Sequence, residues 1–247
     1  MIAWPLLIAS LPVGAVIGSY AATLAVRAGE GRGACFGRSR CDHCGVALGF
    51  ADTAPVVSYF ARGGACAHCG GRIDALHPVG EILGGLVLVS AIWAGVDLVE
   101  AALLGALGLT LTALSLIDCR TLRLPDALTV AAAVLGAVLA WRRSPEDLWI
   151  GAAAATATAL ILTLLRATLR RRLGREALGQ GDVKLIAALA LWLGLNTSWA
   201  VVAAALAGLA GLAWLKPKDG RIPFGPAIAA GGWCVGLWTE VSTWRLP

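Results

Sequence analysis

The stretch from Leu98 to Ile117, LVEAALLGALGLTLTALSLI, is apolar at nearly every position and is followed at once by Asp118. A helix needs about 20 predominantly apolar residues to cross the hydrocarbon layer of a membrane. The stretch therefore predicts a membrane-spanning helix that ends at an acid.

The composition of the whole chain points the same way. Hydrophobic residues make up 58% of the 247 residues and charged residues 14%, against about 25% charged in soluble domains. Eight apolar runs are present: Ala3 to Val26, Val79 to Gly95, Leu98 to Ile117, Ala127 to Trp141, Leu148 to Leu165, Leu185 to Leu195, Trp199 to Leu215 and Gly225 to Val241. We therefore predict an all-α polytopic membrane protein with about eight transmembrane helices. The first run has no small-residue cleavage site after it, which favours a permanent span over a signal peptide.

The basic residues predict the orientation. Seventeen of the 20 lysines and arginines fall in one of the two alternating sets of loops. Lys and Arg are retained on the cytoplasmic side during insertion, so this set is expected to face the cytoplasm. Attraction to anionic lipid accounts for the net charge of +5, so we expect the lipid bilayer, and no nucleic acid, as a partner.

Residues 27–78 form the longest polar segment and are expected to be a small cytoplasmic domain between the first span, 1–26, and the remaining seven helices, 79–247. This segment contains two CxxC pairs, Cys41 with Cys44 and Cys66 with Cys69. Four thiolates in such pairs suit a tetrahedral Zn²⁺ site, which would give a short segment its fold. Two disulfides are the alternative, but the cytoplasm keeps thiols reduced.

Two acids at the predicted cytoplasmic ends of spans are candidate catalytic residues. Asp118 closes the third run and Asp182 opens the sixth. If the two carboxyl groups converge, they share one proton, so that one acid takes a proton from water while the other polarises a carbonyl. The alternative role for Asp182 is a helix N-cap. Gly179 and Gly181 bracket it, however, and a cap requires neither glycine.

These residues resemble the type IV prepilin peptidases, intramembrane aspartic enzymes of the GxGD type. The similarity extends over nearly the whole chain. It is carried by GQGDVKL at 179–185, IDCRTLRLPD at 117–126, RIPFGP at 221–226, and the two CxxC pairs followed by HPVGE at 77–81.

The resemblance implies that Asp118 and Asp182 are the catalytic pair of a bacterial inner-membrane enzyme whose active site faces the cytoplasm. It implies cleavage of the basic leader of prepilins or pseudopilins after a glycine. It also implies N-methylation of the new terminus with S-adenosylmethionine, supported by the four cysteines. Substrate-binding or supporting roles are expected for Gly179, Gly181, Lys184, Phe224, Gly225, Pro226 and Glu81. For two of these a simpler role is open, since Lys184 can snorkel to the interface and Glu81 can pair with Arg72.

Three positions depart from the family pattern. The segment 18–22, GSYAA, lacks an Asn, His77 replaces a Tyr, and Arg120 replaces an acid. Two other classes of function are open: a polytopic ion-coupled transporter that uses the two acids, and a zinc-binding membrane scaffold without catalysis. The sequence leaves the oligomeric state undetermined.

Overall fold

The computed structural model describes residues 4–32, 39–174, 178–215 and 222–245. The helices, in chain order, are α1 (Trp4–Gly29), α2 (Val57–Ala61), α3 (Leu76–Ala94), α4 (Leu98–Thr121), α5 (Asp126–Arg143), α6 (Pro145–Leu173), α7 (Gln180–Leu193), α8 (Thr197–Leu215) and α9 (Gly225–Arg245). Within these ranges no strand forms, and extended pairing is limited to two isolated bridges, Arg40–Ala47 and Ala65–Arg72. The prediction of an all-α fold is confirmed for this part of the chain.

The long helices lie on the predicted apolar runs. Of the described residues, five helical stretches are long and apolar enough to cross a membrane: Trp4–Gly29, Leu76–Ala94, Leu98–Thr121, Pro145–Leu173 and Gln180–Ala213. They fit a multi-pass membrane protein, whereas the count of eight spans stays a prediction. The polar segment is slightly shorter than predicted, because α1 continues to Gly29 and α3 begins at Leu76.

The chain reverses between α7 and α8. Gly194, in the short 3₁₀ turn Gly194–Asn196, has a φ of 54°, a conformation that glycine adopts without a steric penalty. Just before α8, the side chain of Asn196 donates a hydrogen bond to Thr239, near the end of α9, at 3.3 Å. Toward the other end of α8, Gly208 packs against Phe224, the residue before α9. α8 therefore runs antiparallel to α9, and α7 and α8 are two separate helices of the bundle.

The core is built mainly of leucine around one tryptophan. Leu104, Leu107 and Leu114 of α4 are fully buried together with Trp192 of α7. The same cluster receives side chains from α3, α5, α8 and α9. This packing fixes the directions of α4 and α7, the two helices on which the predicted catalytic acids lie.

Helices α1 and α3 cross at two facing pairs of glycines. Gly14 and Gly18 lie on α1, and Gly80 and Gly84 lie on α3, each pair four residues apart. A Cβ atom on Gly84 would lie 2.9 Å from the Gly18 Cα, so the two backbones are in direct contact. Small residues at this spacing allow membrane helices to approach closely.

Replacing Gly18 with Leu should separate α1 from α3. The added side chain would overlap the Gly80 carbonyl, and overpacking of this kind costs about 1 to 3 kcal/mol. We expect a lower midpoint of thermal unfolding in detergent for Gly18→Leu. Val16→Leu is the matched control, because Val16 is 58% exposed on the same helix. Equal midpoints for the two variants would contradict the glycine crossing.

Candidate functional site

Asp118 lies in the last turn of α4 and is only 4% exposed. Its Oδ2 accepts a hydrogen bond from the Gly225 N–H at 2.8 Å. Gly225 is the first residue of α9, where backbone N–H groups have no partner within the helix. The Asp118 carboxylate therefore caps α9 and sits at the positive end of the helix dipole.

The segment around Gly225 is shaped to fit Asp118. A Cβ atom on Gly225 would lie 2.8 Å from the Asp118 Oδ2, so a larger residue at this position would displace the carboxylate. Phe224 anchors the segment against Gly208 of α8. Pro226 occupies the first turn of α9, where a missing N–H costs nothing. Gly225 is thus brought to Asp118, with Phe224 and Pro226 on either side of it in the chain, whereas Arg221 lies outside the described residues.

Asp182 is the third residue of α7, and its carboxylate turns back toward Gly179. Gly179 is the N-cap of the helix, so the alternative in which Asp182 is the N-cap is wrong. A Cβ on Gly179 would lie 2.8 Å from the Asp182 Oδ2. Gly181 packs on Leu124, with its hypothetical Cβ 3.2 Å from the Leu124 Cβ. Both glycines therefore make room for groups of the protein itself.

The two acids lie at the same end of the bundle. Leu124, six residues after Asp118, packs against Gly181, the residue before Asp182, so the end of α4 and the start of α7 are neighbours. Each carboxylate also sits at a helix N-terminus, Asp118 at that of α9 and Asp182 at that of α7. Carboxyl groups held at one end of a helix bundle can transfer protons to and from a reacting group.

Lys184 forms an ion pair at the end of its helix, and Glu81 makes contacts that differ from the simpler role open to it. Lys184 Nζ pairs with Asp126 Oδ1 at 2.7 Å and so joins α7 to the start of α5. Glu81 is buried, and instead of pairing with Arg72 its carboxylate accepts hydrogen bonds from Ser19 Oγ at 2.7 Å and the Val56 N–H at 2.6 Å.

The polar segment is held on the helices at two points. Val56 has a φ of 62°, which is strained for a β-branched residue, and Glu81 of α3 binds its N–H. The second point is an ion pair between Asp74, just before α3, and Arg120 in the last turn of α4. Since Arg120 is two residues from Asp118, the polar segment is tied directly to the helix end that carries this acid.

The two CxxC pairs sit on matching turns. In one turn the Cys41 N–H donates to Val46 O and the Gly45 N–H to Cys41 O. The Cys66 and Gly70 N–H groups make the corresponding bonds in the other. The glycine after each second cysteine has a positive φ, 71° at Gly45 and 69° at Gly70. The repeated CxxCG sequence is therefore required by the turn as well as by the thiols.

The four thiol groups of these turns converge. Cys41, Cys44, Cys66 and Cys69 have their Sγ atoms within 4.8 Å of one another. The Cys41 and Cys69 Sγ atoms are 3.9 Å apart, close to the separation of about 3.8 Å for tetrahedral ligands with Zn–S bonds of 2.3 Å. Hydrogen bonds from the backbone N–H groups of Cys69 and His68 lower the pKa of Cys66 to about 6, which favours the thiolate that binds metal. The donor set fits Zn²⁺, and all four residues are free thiols.

The sequence analysis did not predict several residues that bind the buried acids. Ser19, the partner of Glu81, lies in a segment that departs from the family pattern. At the opposite end of the bundle, Glu240 is 1% exposed and accepts from Arg143 Nη1 and Trp192 Nε1, each at 2.6 Å. An acid inside an apolar run is an available signal for such a contact, because a charge there requires a partner.

In comparison with known proteins, two segments of the chain each match a protein family. Residues 13–95 match the family model of the bacterial Peptidase A24 N-terminal domain, and residues 105–215 match that of the type IV leader peptidase family. No solved structure matches the chain.

Curated relatives resemble the chain over most of its length. A prepilin leader peptidase/N-methyltransferase of Burkholderia pseudomallei is 36% identical, covering 80% of this chain and 66% of the relative. A protein of the same name from Neisseria gonorrhoeae is 32% identical, with coverages of 83% and 74%. A type 4 prepilin-like proteins leader peptide-processing enzyme of Escherichia coli is 32% identical, with coverages of 79% and 73%. The chain thus spans about two thirds to three quarters of the length of these relatives.

The four-cysteine cluster should hold one zinc ion per chain. We expect Cys41→Ser and Cys66→Ser each to lose the metal, because three thiolates bind zinc less tightly than four. Cys234→Ser is the control, since this thiol is exposed on α9, away from the cluster. The measurement is the zinc content of purified protein by elemental mass spectrometry. Full zinc content in both cluster variants would rule out the four-thiolate site.

Proposed function

The chain belongs to the type IV leader peptidase family, and on that premise we propose that it removes the basic leader from prepilins or pseudopilins at the cytoplasmic face of the bacterial inner membrane. The observation that carries this proposal is the position of two acids, Asp118 and Asp182, at the same end of an apolar bundle. The relatives named above are prepilin-processing proteins by their names.

In the proposed reaction Asp118 and Asp182 act as a pair that carries a single proton. The ionised acid takes a proton from water, and the water attacks the peptide carbonyl that follows a glycine. The protonated acid polarises that carbonyl and then protonates the departing amine. The Gly225 N–H and the N-terminus of α7 support negative charge on the pair during these transfers.

The substrate must present an extended peptide bond to the pair. A prepilin would bring an apolar helix and a basic leader, so its helix has to unwind near the scissile bond. The glycines at 179 and 225 keep side chains away from the two carboxylates, which favours access by an extended backbone. Lys184 lies at the same end of the bundle, where its exposed ion pair with Asp126 links α7 to α5.

We propose the eight-span topology with this end of the bundle in the cytoplasm. The reversal at Gly194 favours counting α7 and α8 separately, and the basic loops favour the orientation. A transporter would carry its acids deep within the spans, whereas both of these acids lie at helix ends. In a scaffold without catalysis, two acids at one end of the bundle, one of them buried, would have a cost and no function.

Methylation of the new N-terminus by the same protein is the second part of the proposal. S-adenosylmethionine is the second substrate and supplies the methyl group to the amine that cleavage exposes. The Arg120–Asp74 ion pair favours this coupling, because it ties the four-cysteine segment to α4 two residues from Asp118. Zinc held by Cys41, Cys44, Cys66 and Cys69 would maintain the shape of that segment.

Asp118→Asn and Asp182→Asn should each abolish leader removal. Either substitution removes the shared proton, so we expect cleavage rates to fall by at least about a hundredfold. The assay follows the leader of a prepilin in membranes that contain each variant. Glu146→Gln is the control, because it removes an exposed acid at the opposite end of the bundle. Near-normal cleavage by either aspartate variant would exclude the two-acid mechanism.

A further inference from the structure

A cavity of about 790 Å³ lies between α5, α6 and α7. Its walls are mostly small side chains, among them Ala133, Ala155, Ala159 and Ala187. The hydroxyl groups of Thr129 and Thr156, which also line it, donate to carbonyls of their own helices at 3.2 and 2.8 Å. These walls suit an apolar occupant, and the volume is within the range of ligand sites.

The cavity is separate from the two acids. Its α7 wall is formed by Gln180, Val183, Lys184, Ala187, Ala188 and Leu191, whose spacing places them on one face of the helix. Asp182 lies roughly half a turn away from that face. An occupant of this cavity would therefore lie behind α7, away from the reacting groups.

The length of the cavity fits one lipid acyl chain better than a membrane-spanning helix. Along α6 the lining extends from Ala155 to Arg166, which is about 16 Å at 1.5 Å per residue. Toward the start of α6 the cavity ends where α6 and α7 are in direct backbone contact, since a Cβ on Gly151 would overlap the Leu191 carbonyl. The cavity thus covers about half of a hydrocarbon layer roughly 30 Å thick. That is the depth of one leaflet, and a spanning helix requires both.

The open end of the cavity carries two cations and one acid, because Arg166, Lys184 and Asp126 all line it. The Arg166 Nε donates to Leu178 O at 3.1 Å, so a headgroup phosphate would compete with the existing contacts of this guanidinium. Lys184 lines the same end, and its ion pair with Asp126 is largely exposed, so it is weak enough for another anion to compete. Arg170 follows Arg166 by one turn of α6 and is exposed. Basic sites between transmembrane helices at a membrane surface bind anionic headgroups.

We propose that this cavity binds an anionic phospholipid. One acyl chain lies along the alanines of α6 and α7, and the phosphate lies against Arg166 and Lys184. The site is independent of the peptidase proposal, because it requires only that the helices are in a membrane.

Native mass spectrometry of the full chain, stripped of lipid in detergent, tests this proposal. The probes are dioleoyl phosphatidylglycerol and dioleoyl phosphatidylcholine, which carry the same acyl chains. We expect wild-type protein to bind one phosphatidylglycerol about tenfold more tightly than phosphatidylcholine, as two cation–phosphate contacts would provide. Lys184→Gln should remove most of this preference, and Ala159→Leu should reduce binding of both lipids by filling the groove.

Two matched controls separate these effects from general changes in the helices. Arg171→Gln removes an exposed charge from α6, and Ala157→Leu adds the same bulk to an exposed position of α6 outside the cavity. Both should bind lipid like wild type, and thermal unfolding checks that every variant is folded.

Three results would overturn the proposal. The first is equal binding of the two lipids by wild type. The second is unchanged binding in both folded cavity variants. The third is displacement of the bound lipid by a synthetic apolar helix with a basic leader, which would assign the cavity to a helical substrate.

Discussion

The hydrogen bond from the Gly225 N–H to the Asp118 carboxylate is the interaction on which the rest of the site depends. It joins the end of α4 to the start of α9 at 2.8 Å, so the acid and the helix terminus satisfy each other in a place with little water. A buried carboxylate without such a donor would be costly. The bond also explains why Gly225 has no side chain and why Phe224 is anchored on α8, since both conditions keep the N–H aimed at Asp118.

The opposite end of the bundle holds the same helices in register. Arg143 of α5 binds the Glu240 carboxylate and the Trp192 carbonyl, and the Trp192 indole donates to Glu240. This network ties α5 to α7 and α9, the helices whose other ends surround the two acids. Buried ion pairs add little to net stability but are sensitive to geometry, so we interpret this one as fixing the arrangement of the helices.

The helical framework could be predicted from the sequence because hydrophobic length and turn chemistry are local properties. The apolar runs predicted the helices, and the two CxxC pairs predicted the convergence of Cys41, Cys44, Cys66 and Cys69. Partners across the fold could not be predicted in this way. Glu81 binds Ser19 and Val56 rather than Arg72, and Asp182 is the third residue of its helix rather than its cap. These contacts depend on how helices pack, which no local pattern encodes.

Leader cleavage by Gly225→Ala is the most direct measure of the central claim that backbone contact at α9 positions the acid pair. The added methyl group would lie 2.8 Å from the Asp118 Oδ2, and a displacement of about 1 Å can reduce a rate by about a hundredfold. Gly211→Ala is the control, because a Cβ there meets nothing within 4 Å. We predict a loss of this size for Gly225→Ala and a normal rate for Gly211→Ala. Equal rates in two folded variants would contradict the account.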